Sequence, residues 1–178
     1  MAVFVCMLRG VNLGPHNRVG MAALRTLFES LGFHDVQTLI QSGNVVFRAG
    51  QRNEPRLVTL IEKAIEEHFG FRAEVLLRTA AELKDVIARN PFAARPDVDP
   101  GKLLVTFLES PTGVPAAWAG PEELHSSGRE IYIYFPNGAG RSKLSWSTLA
   151  DKAKTRGTAR NWNTVRKLLE MAEKLEAA

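Results

Sequence analysis

Alternating apolar and polar positions divide the first half of the chain into short strands and amphipathic helices. The predicted strands lie at 2–8, 36–40, 45–47 and 73–77. The predicted helices lie at 21–31 and 57–69, where apolar residues recur at helical spacing. The resulting order, β-α-β-β-α-β, is that of a ferredoxin-like sheet with its helices on one face.

The second half repeats this organisation without repeating the residues. Thr79-Ala80-Ala81-Glu82 has the form of a capping box, and the helix it opens ends at Asn90-Pro91, because a residue before proline resists the helical backbone. The later elements are predicted as strands at 103–108, 124–126 and 130–135, and as helices around 116–118, at 142–154 and at 163–176. We therefore expect an α+β fold of two ferredoxin-like halves, 1–92 and 101–178, with an additional C-terminal helix.

Composition narrows the class of protein. The 178 residues are 45% apolar and 24% charged, which is typical of a soluble globular protein. The apolar run 2–8 is too short to cross a membrane. The single cysteine excludes an internal disulfide and a thiolate-rich metal site, and the four histidines show no ligand spacing. We expect a cytoplasmic protein with no metal, no cofactor and no membrane partner.

Positive charge is concentrated near the C-terminal end of the sequence. Residues 141–167 contain eight Lys or Arg against the single acid Asp151, a net charge of +7, so the rest of this +4 chain carries −3. A predicted strand at 131–135 is followed by a glycine loop and a predicted helix start, which place Ser142 and Lys143 where a phosphate cradle would use them. The spacing is not that of a P-loop. The alternative is a plain turn and helix cap.

The segment Arg160-Asn161-Trp162-Asn163 is a second candidate for anion binding. Asn161 or Asn163 can cap the last helix, which leaves Arg160 to make a forked contact with phosphate or carboxylate. Trp162 could stack on a ligand, but its position three residues before Val165 favours a core role.

Polar residues also follow the first strand and fill the predicted hairpin of the first half. They are Arg9, Asn12, Asn17 and Arg18 in the loop, and Gln41, Ser42 and Asn44 in the hairpin. Polar loops beyond strand ends are common ligand positions, whereas the alternative is that the asparagines satisfy turn geometry. No Gly-x-Ser-x-Gly elbow surrounds Ser42, which argues against a nucleophile.

Five stretches, taken together, have the features of a known family. They are Arg9-Gly10-Val11-Asn12-Leu13-Gly14, Ile40-Gln41-Ser42-Gly43-Asn44-Val45-Val46-Phe47, Asn90-Pro91-Phe92, Tyr134-Phe135-Pro136-Asn137-Gly138 with Arg141-Ser142-Lys143-Leu144, and Arg160-Asn161-Trp162-Asn163-Thr164-Val165. In this order they resemble the bacterial family called domain of unknown function 1697. The resemblance implies an α+β fold built from two ferredoxin-like halves, and it implies no activity.

Two functions are compatible with these residues. The favoured one is binding of a phosphorylated or carboxylated small molecule, a nucleotide included, in a polar pocket between the halves, since Asn, Gln and Ser supply directed hydrogen bonds. The alternative is single-stranded nucleic acid bound by the basic segment 141–167. Against it, Phe4 and Phe47 lie in runs too apolar for an exposed stacking platform. No general base is identified, so the residues leave open whether the protein is an enzyme.

Overall fold

The computed structural model of the protein describes residues 1–39, 43–111, 120–144, 149 and 154–178. The chain forms two compact units, the first comprising 1–84 and 168–178 and the second comprising 85–167. The predicted α+β class, with two antiparallel sheets and a C-terminal helix, is confirmed. None of the helices in the described ranges is long and apolar enough to span a membrane.

The first unit contains a four-stranded antiparallel sheet in the order β2-β3-β1-β4. Its strands are β1 (Ala2–Leu8), β2 (His34–Leu39), β3 (Asn44–Ala49) and β4 (Val75–Thr79), and its helices are α1 (Met21–Ser30) and α2 (Glu54–Phe69). The predicted β-α-β-β-α-β order is confirmed. Strand β1 is central because both of its alternating sets of side chains are apolar, so it can be buried on both faces.

The core of the first unit lies between one face of this sheet and helices α1 and α2. Phe4 on β1 stacks on Phe47 on β3, with ring centroids 5.9 Å apart. Phe47 also meets Phe28 of α1 at 5.3 Å and Phe33 at 4.5 Å. These offset and edge contacts fix how α1 sits on the sheet. Because Phe4 and Phe47 are buried, the prediction that they form no exposed stacking platform is confirmed.

The second unit contains a sheet with the equivalent order, β6-β7-β5-β8. Its strands are β5 (Leu103–Leu108), β6 (Glu123–Ser127), β7 (Glu130–Tyr134) and β8 (Gly157–Asn161). Helix α3 (Ala80–Ala88) begins in the first unit and ends in the second, and helix α4 (Trp162–Ala177) does the reverse.

The two sheets share the register around their central strands as well as their order. Val5 of β1 lies opposite Val46 and Arg78, and Val105 of β5 lies opposite Tyr132 and Arg160. The predicted repetition of the first half in the second is therefore confirmed at the level of the strands.

One element of the second half was missed, and one was predicted wrongly. The missed element is strand β8, because Gly-Thr-Ala-Arg-Asn has no alternating apolar pattern and becomes a strand by pairing with β5. The helix predicted from Ser142 does not begin there. Ser142 is extended, with ψ 146°, after a 3-10 turn at Ala139–Arg141, and its hydroxyl accepts the Leu144 N–H, which competes with helix formation. Residues 145–148 and 150–153 of that predicted helix, and the helix predicted around 116–118, lie outside the described residues.

The helix signals of the sequence are largely confirmed. Thr79 and Glu82 form the predicted capping box, in which Glu82 Oε1 accepts the Thr79 N–H at 2.9 Å and Thr79 Oγ1 accepts the Glu82 N–H at 3.1 Å. Helix α2 ends at Gly70, whose φ of +79° suits glycine. Helix α3 ends at Ala88, before Asn90-Pro91 as predicted.

Candidate functional site

A depression of about 380 Å³ opens on the second unit beside the start of α4. Apolar side chains form most of its wall, among them Phe92, Leu103 and Trp162, while Asn90, Arg95 and Arg166 supply the polar groups. The volume lies in the range of about 300–1,000 Å³ that small-molecule sites occupy.

The turn after α3 builds one side of the depression. The Asn90 side-chain oxygen accepts the Phe92 N–H at 2.9 Å, which closes a tight turn at Pro91. Phe92 is then buried, with its ring 5.8 Å from that of Tyr134 on β7 and 5.1 Å from that of His125 on β6. The sheet therefore anchors this wall through an aromatic contact.

The junction of β8 and α4 builds the other side. Asn161 Oδ1 accepts the Asn163 N–H at 2.9 Å, so Asn161 is the residue that caps α4, one of the two alternatives left open above. Its amide Nδ2 donates to the Gly101 carbonyl at 3.0 Å. These two bonds fix the first residue of α4, Trp162. Trp162 is 7% exposed, which confirms the favoured core role, and its indole also lines the depression.

Arg95 serves the wall rather than a ligand. Its guanidinium makes a forked pair with Asp97, at 3.2 and 2.8 Å, and a further pair with Glu123 at 2.7 Å. It also lies over the Phe92 ring, 5.6 Å from the centroid. The hydrogen bonds that Arg95 donates to Asp97 and Glu123 raise the pKa of Arg95, and the Arg95 guanidinium lowers the pKa of Asp97. Arg95 is therefore committed to two carboxylates and an aromatic face.

Arg166 differs from Arg95. It lies one turn into α4, four residues after Trp162, and its side chain is exposed. No ion pair to Arg166 forms within the part of the chain that the structure describes. A guanidinium keeps its charge at any physiological pH and can bind carboxylate or phosphate through two parallel hydrogen bonds. Arg166 is therefore the cation that this wall offers to an anion.

The predicted ligand residue Arg160 is largely buried. It is 7% exposed, and its Nη1 donates to Thr158 Oγ1 at 2.8 Å and to the Ala159 carbonyl at 2.9 Å. In the register of the sheet, Arg160 shares a face with Val105 and Tyr132. These contacts occupy part of the Arg160 guanidinium, which the sequence analysis predicted would bind an anion. Asn163, also predicted, is exposed on the first turn of α4.

Ser142 and Lys143 are not brought together with Arg160. Leu144 packs with Ile131 and Ile133, which share a face with Leu104, whereas Arg160 lies on the face of the adjacent residue Val105. The Ser142 hydroxyl donates to the carboxylate of Glu122, so a negative charge lies beside the glycine loop. Lys143 is exposed. The glycine loop and the Arg160 segment are thus two separate places in the second unit.

The predicted loop residues of the first unit gather at the end of β1. Arg9 Nη1 pairs with Glu74 at 3.2 Å. The Asn12 side chain bridges the loop, donating to the Val19 carbonyl at 3.0 Å and accepting the Val19 N–H at 2.8 Å. Asn17 donates to the Gly10 carbonyl at 3.4 Å, and both asparagines have left-handed φ, 57° and 54°. These contacts support the alternative that Asn12 and Asn17 satisfy turn geometry. Arg18 is exposed.

In the hairpin motif of the first unit, packing and hydrogen bonding explain the presence of Gly43 and Asn44. Gly43 has φ +81°, and a Cβ there would lie 2.6 Å from Val11 Cγ2 and 2.9 Å from Leu8 Cβ, so only glycine fits. Asn44 is fully buried and donates to the Leu39 carbonyl at 3.1 Å, which closes the hairpin. The predicted residues Gln41 and Ser42 lie outside the described residues.

The ligand set predicted from sequence contains none of the residues that line the depression. The missed residues include Asn90, Phe92, Arg95, Trp162 and Arg166. Two motifs of the resemblance, Asn90-Pro91-Phe92 and the Arg160 segment, were the available signal, but nothing in the sequence showed that they meet. The described residues contain no cluster of three His, Cys, Asp or Glu suited to a metal ion.

Comparison with known proteins gives a family and a fold. The sequence profile of a family described as "Protein of unknown function (DUF1697)" matches residues 1–134. The conserved bacterial protein SP0830 from Streptococcus pneumoniae has a similar structure, with a TM-score of 0.69 and 22% sequence identity over 96% of this chain and 98% of that one. No curated protein matches the chain. At this identity the structural likeness establishes the fold alone.

Proposed function

This chain belongs to the DUF1697 family, whose function is unknown, and we propose that it binds a small molecule bearing a carboxylate or phosphate group at the depression beside Trp162. The observation that carries the proposal is the pairing of a mostly apolar depression of small-molecule size with Arg166. Apolar burial supplies affinity in such sites, and a few polar groups supply orientation. The proposal concerns binding, and it assigns no reaction.

The other predicted site residues take different parts in this proposal. Asn161 holds the start of α4 in place and so positions Trp162. Arg160 supports the same strand from within the sheet. Lys143 and Arg18 lie on other loops, and neither is assigned a contact with the ligand of the depression. Anion binding at those loops stays a prediction.

The alternative function, binding of single-stranded nucleic acid, has less support. The +7 segment does not present all its cations to solvent, since Arg160 is buried and Arg156 lies 3.8 Å from Glu109. Proteins of that class combine a basic groove with exposed aromatic rings, and Phe4 and Phe47 are in the core. We therefore treat nucleic acid as a competing outcome of the test.

The test uses Trp162 as its own reporter. The chain has three tryptophans, so the double variant Trp118→Phe, Trp146→Phe leaves Trp162 alone. Small carboxylates and nucleoside monophosphates at millimolar concentration should change its fluorescence and raise the melting temperature, because a ligand that binds only the folded state stabilises it. The Arg166→Gln variant should lose at least about tenfold in affinity, the size of one charge-assisted hydrogen bond.

Two matched controls locate the effect. Lys167→Gln removes the same charge from the next residue of α4, outside the depression, and Lys143→Gln removes it from the glycine loop. Both should bind as the parent does. An oligonucleotide that binds with steep salt dependence, while no small anion binds, would replace this proposal with the nucleic-acid alternative.

A further inference from the structure

We infer that the occupant of the depression is a monoanionic carboxylate with an apolar body, aryl or alkyl, rather than a nucleotide or other polyphosphate. The inference rests on the proposed function and specifies the class of ligand that the site takes. Three features of the wall carry it: the balance of charge, the number of side-chain hydrogen-bond donors and the small number of polar side chains.

The balance of charge favours one negative charge on the ligand. Arg95 is paired with both Asp97 and Glu123, so these three side chains together carry a net charge of −1. Arg166 brings the total to zero. A monoanion that pairs with Arg166 meets little repulsion, whereas each further phosphate charge would be placed near two carboxylates with no further cation among the residues that line the depression.

The donors also match a carboxylate. A guanidinium forms two parallel hydrogen bonds with the two oxygens of one carboxylate. Asn90 adds one more donor group, because its side-chain oxygen accepts the Phe92 N–H while no acceptor for its Nδ2 lies within the described residues. Arg166 and Asn90 can therefore saturate one carboxylate, but they provide too few donors for the oxygens of a di- or triphosphate.

The rest of the wall is apolar. Phe92, Leu103 and Trp162 are each 7% exposed or less, and they form a firm surface for a hydrocarbon chain or ring. The Phe92 and Leu103 side chains offer no hydrogen-bond partner to the hydroxyl groups of a ribose placed against them, and this weakens binding. A hydrocarbon body has no such groups, and every apolar contact adds to its affinity.

The experiment compares ligands that differ in one feature at a time, on the full chain by isothermal calorimetry. The probes are phenylacetate and octanoate, the neutral isostere phenylacetamide, and AMP, ATP and inorganic phosphate. We expect the two carboxylates to bind, phenylacetamide to bind at least about tenfold more weakly, and the phosphates to bind more weakly still. The affinity of the Arg166→Gln variant for phenylacetate should fall to the affinity of the parent for phenylacetamide. The Lys167→Gln variant should bind phenylacetate like the parent.

Each other outcome is decisive. If AMP or phosphate binds in an Arg166-dependent way and the carboxylates do not, the inference is overturned and the proposed function stands. If phenylacetamide binds as well as phenylacetate, the anion has no role and the inference is overturned. If no probe binds, both the inference and the proposed site fail together.

Discussion

The two sheets share strand order and register, yet they differ where the last strand of each leads into a helix. Arg78 on β4 and Arg160 on β8 occupy equivalent positions, opposite Val5 and Val105 of the two central strands. Both arginines are buried, at 1% and 7% exposure. The two units differ from the next residue onward, where each strand leads into its helix. The difference therefore lies in these strand–helix junctions and not in the sheets.

At the first junction the cap is self-contained. Thr79 and Glu82 satisfy each other's backbone N–H groups, and the helix continues with the small residue Ala80. At the second junction Asn161 caps α4 and also holds the Gly101 carbonyl in the segment before β5, and the helix continues with Trp162. Two differences thus distinguish the candidate site in the second unit from the equivalent place in the first. The cap residue Asn161 also bonds to a neighbouring loop, and the helix begins with Trp162 instead of Ala80.

The largest expected effect contrasts the hairpins that precede these junctions. Gly43→Ala should lower the free energy of unfolding by about 3 kcal/mol, because the new methyl overlaps Leu8 and Val11 and the residue has φ +81°. Gly128, in the β6–β7 hairpin, has φ +57° and no neighbour closer than 3.9 Å, so Gly128→Ala should cost only about 1 kcal/mol. Urea unfolding of the two variants checks the contrast, and equal losses would contradict it.

A smaller effect separates the two caps. Asn161→Ala should cost about 2 kcal/mol, since it removes both the cap of α4 and the bond to Gly101, whereas Thr79→Ala should cost about 1 kcal/mol. Asn161→Asp keeps the cap acceptor and loses the donor to Gly101. It should therefore fall between the parent and the alanine variant in thermal unfolding. If Asn161→Asp and Asn161→Ala are equally unstable, the cap contributes nothing.

The smallest effect at neutral pH concerns Tyr132, whose equivalent in the first sheet is Val46. The buried Tyr132 hydroxyl donates to the Val86 carbonyl, so Tyr132→Phe should cost about 1 kcal/mol. Burial raises the pKa of Tyr132 from 10.0 to about 12. Above pH 10 the unfolded chain therefore loses this proton first, and stability falls as pH rises towards 12.

The pH dependence of Tyr132 can be isolated by difference. Below pH 10 the tyrosine is neutral in both states and contributes no slope. Between pH 10 and 12 the unfolding free energy of Tyr132→Phe should decline less steeply than that of the parent, and the corresponding Val46→Ala variant should keep the slope of the parent. Parallel curves for Tyr132→Phe and the parent would show that the hydroxyl titrates alike in both states.

The sequence predicts those parts of the fold that local pattern determines. Strand β1 and helices α1 and α2 have clear apolar periodicity, and the Thr79 capping box is a four-residue signal. Strand β8 has neither, since it becomes a strand through pairing with β5, about 50 residues earlier in the chain. Local pattern is silent about such pairing.

The candidate site was harder to predict for the same reason. The motifs containing Asn90 and Trp162 are separate in the sequence, and their convergence depends on the position of β8. Whether each arginine is paired, buried or exposed also depends on residues that are distant in sequence. Arg95 is neutralised partly by Glu123, 28 residues away, and Arg160 is buried by its place in the sheet, whereas Arg166 shares the same residue type and stays exposed. Charge counted along the sequence could not separate these three arginines.

The division of helix α4 between the two units has a consequence for biosynthesis. Residues 168–178 complete the first unit, where Arg48 donates hydrogen bonds to the Leu175 and Ala178 carbonyls from the sheet face that also carries Val3 and Val5. Leu168 leaves the ribosome about 80 residues after Lys84, a delay of roughly 4–16 s at bacterial and eukaryotic elongation rates. During that interval the nascent first sheet lacks this partner. The face of the sheet that carries Val3 and Val5 is then open to chaperones and to other nascent chains.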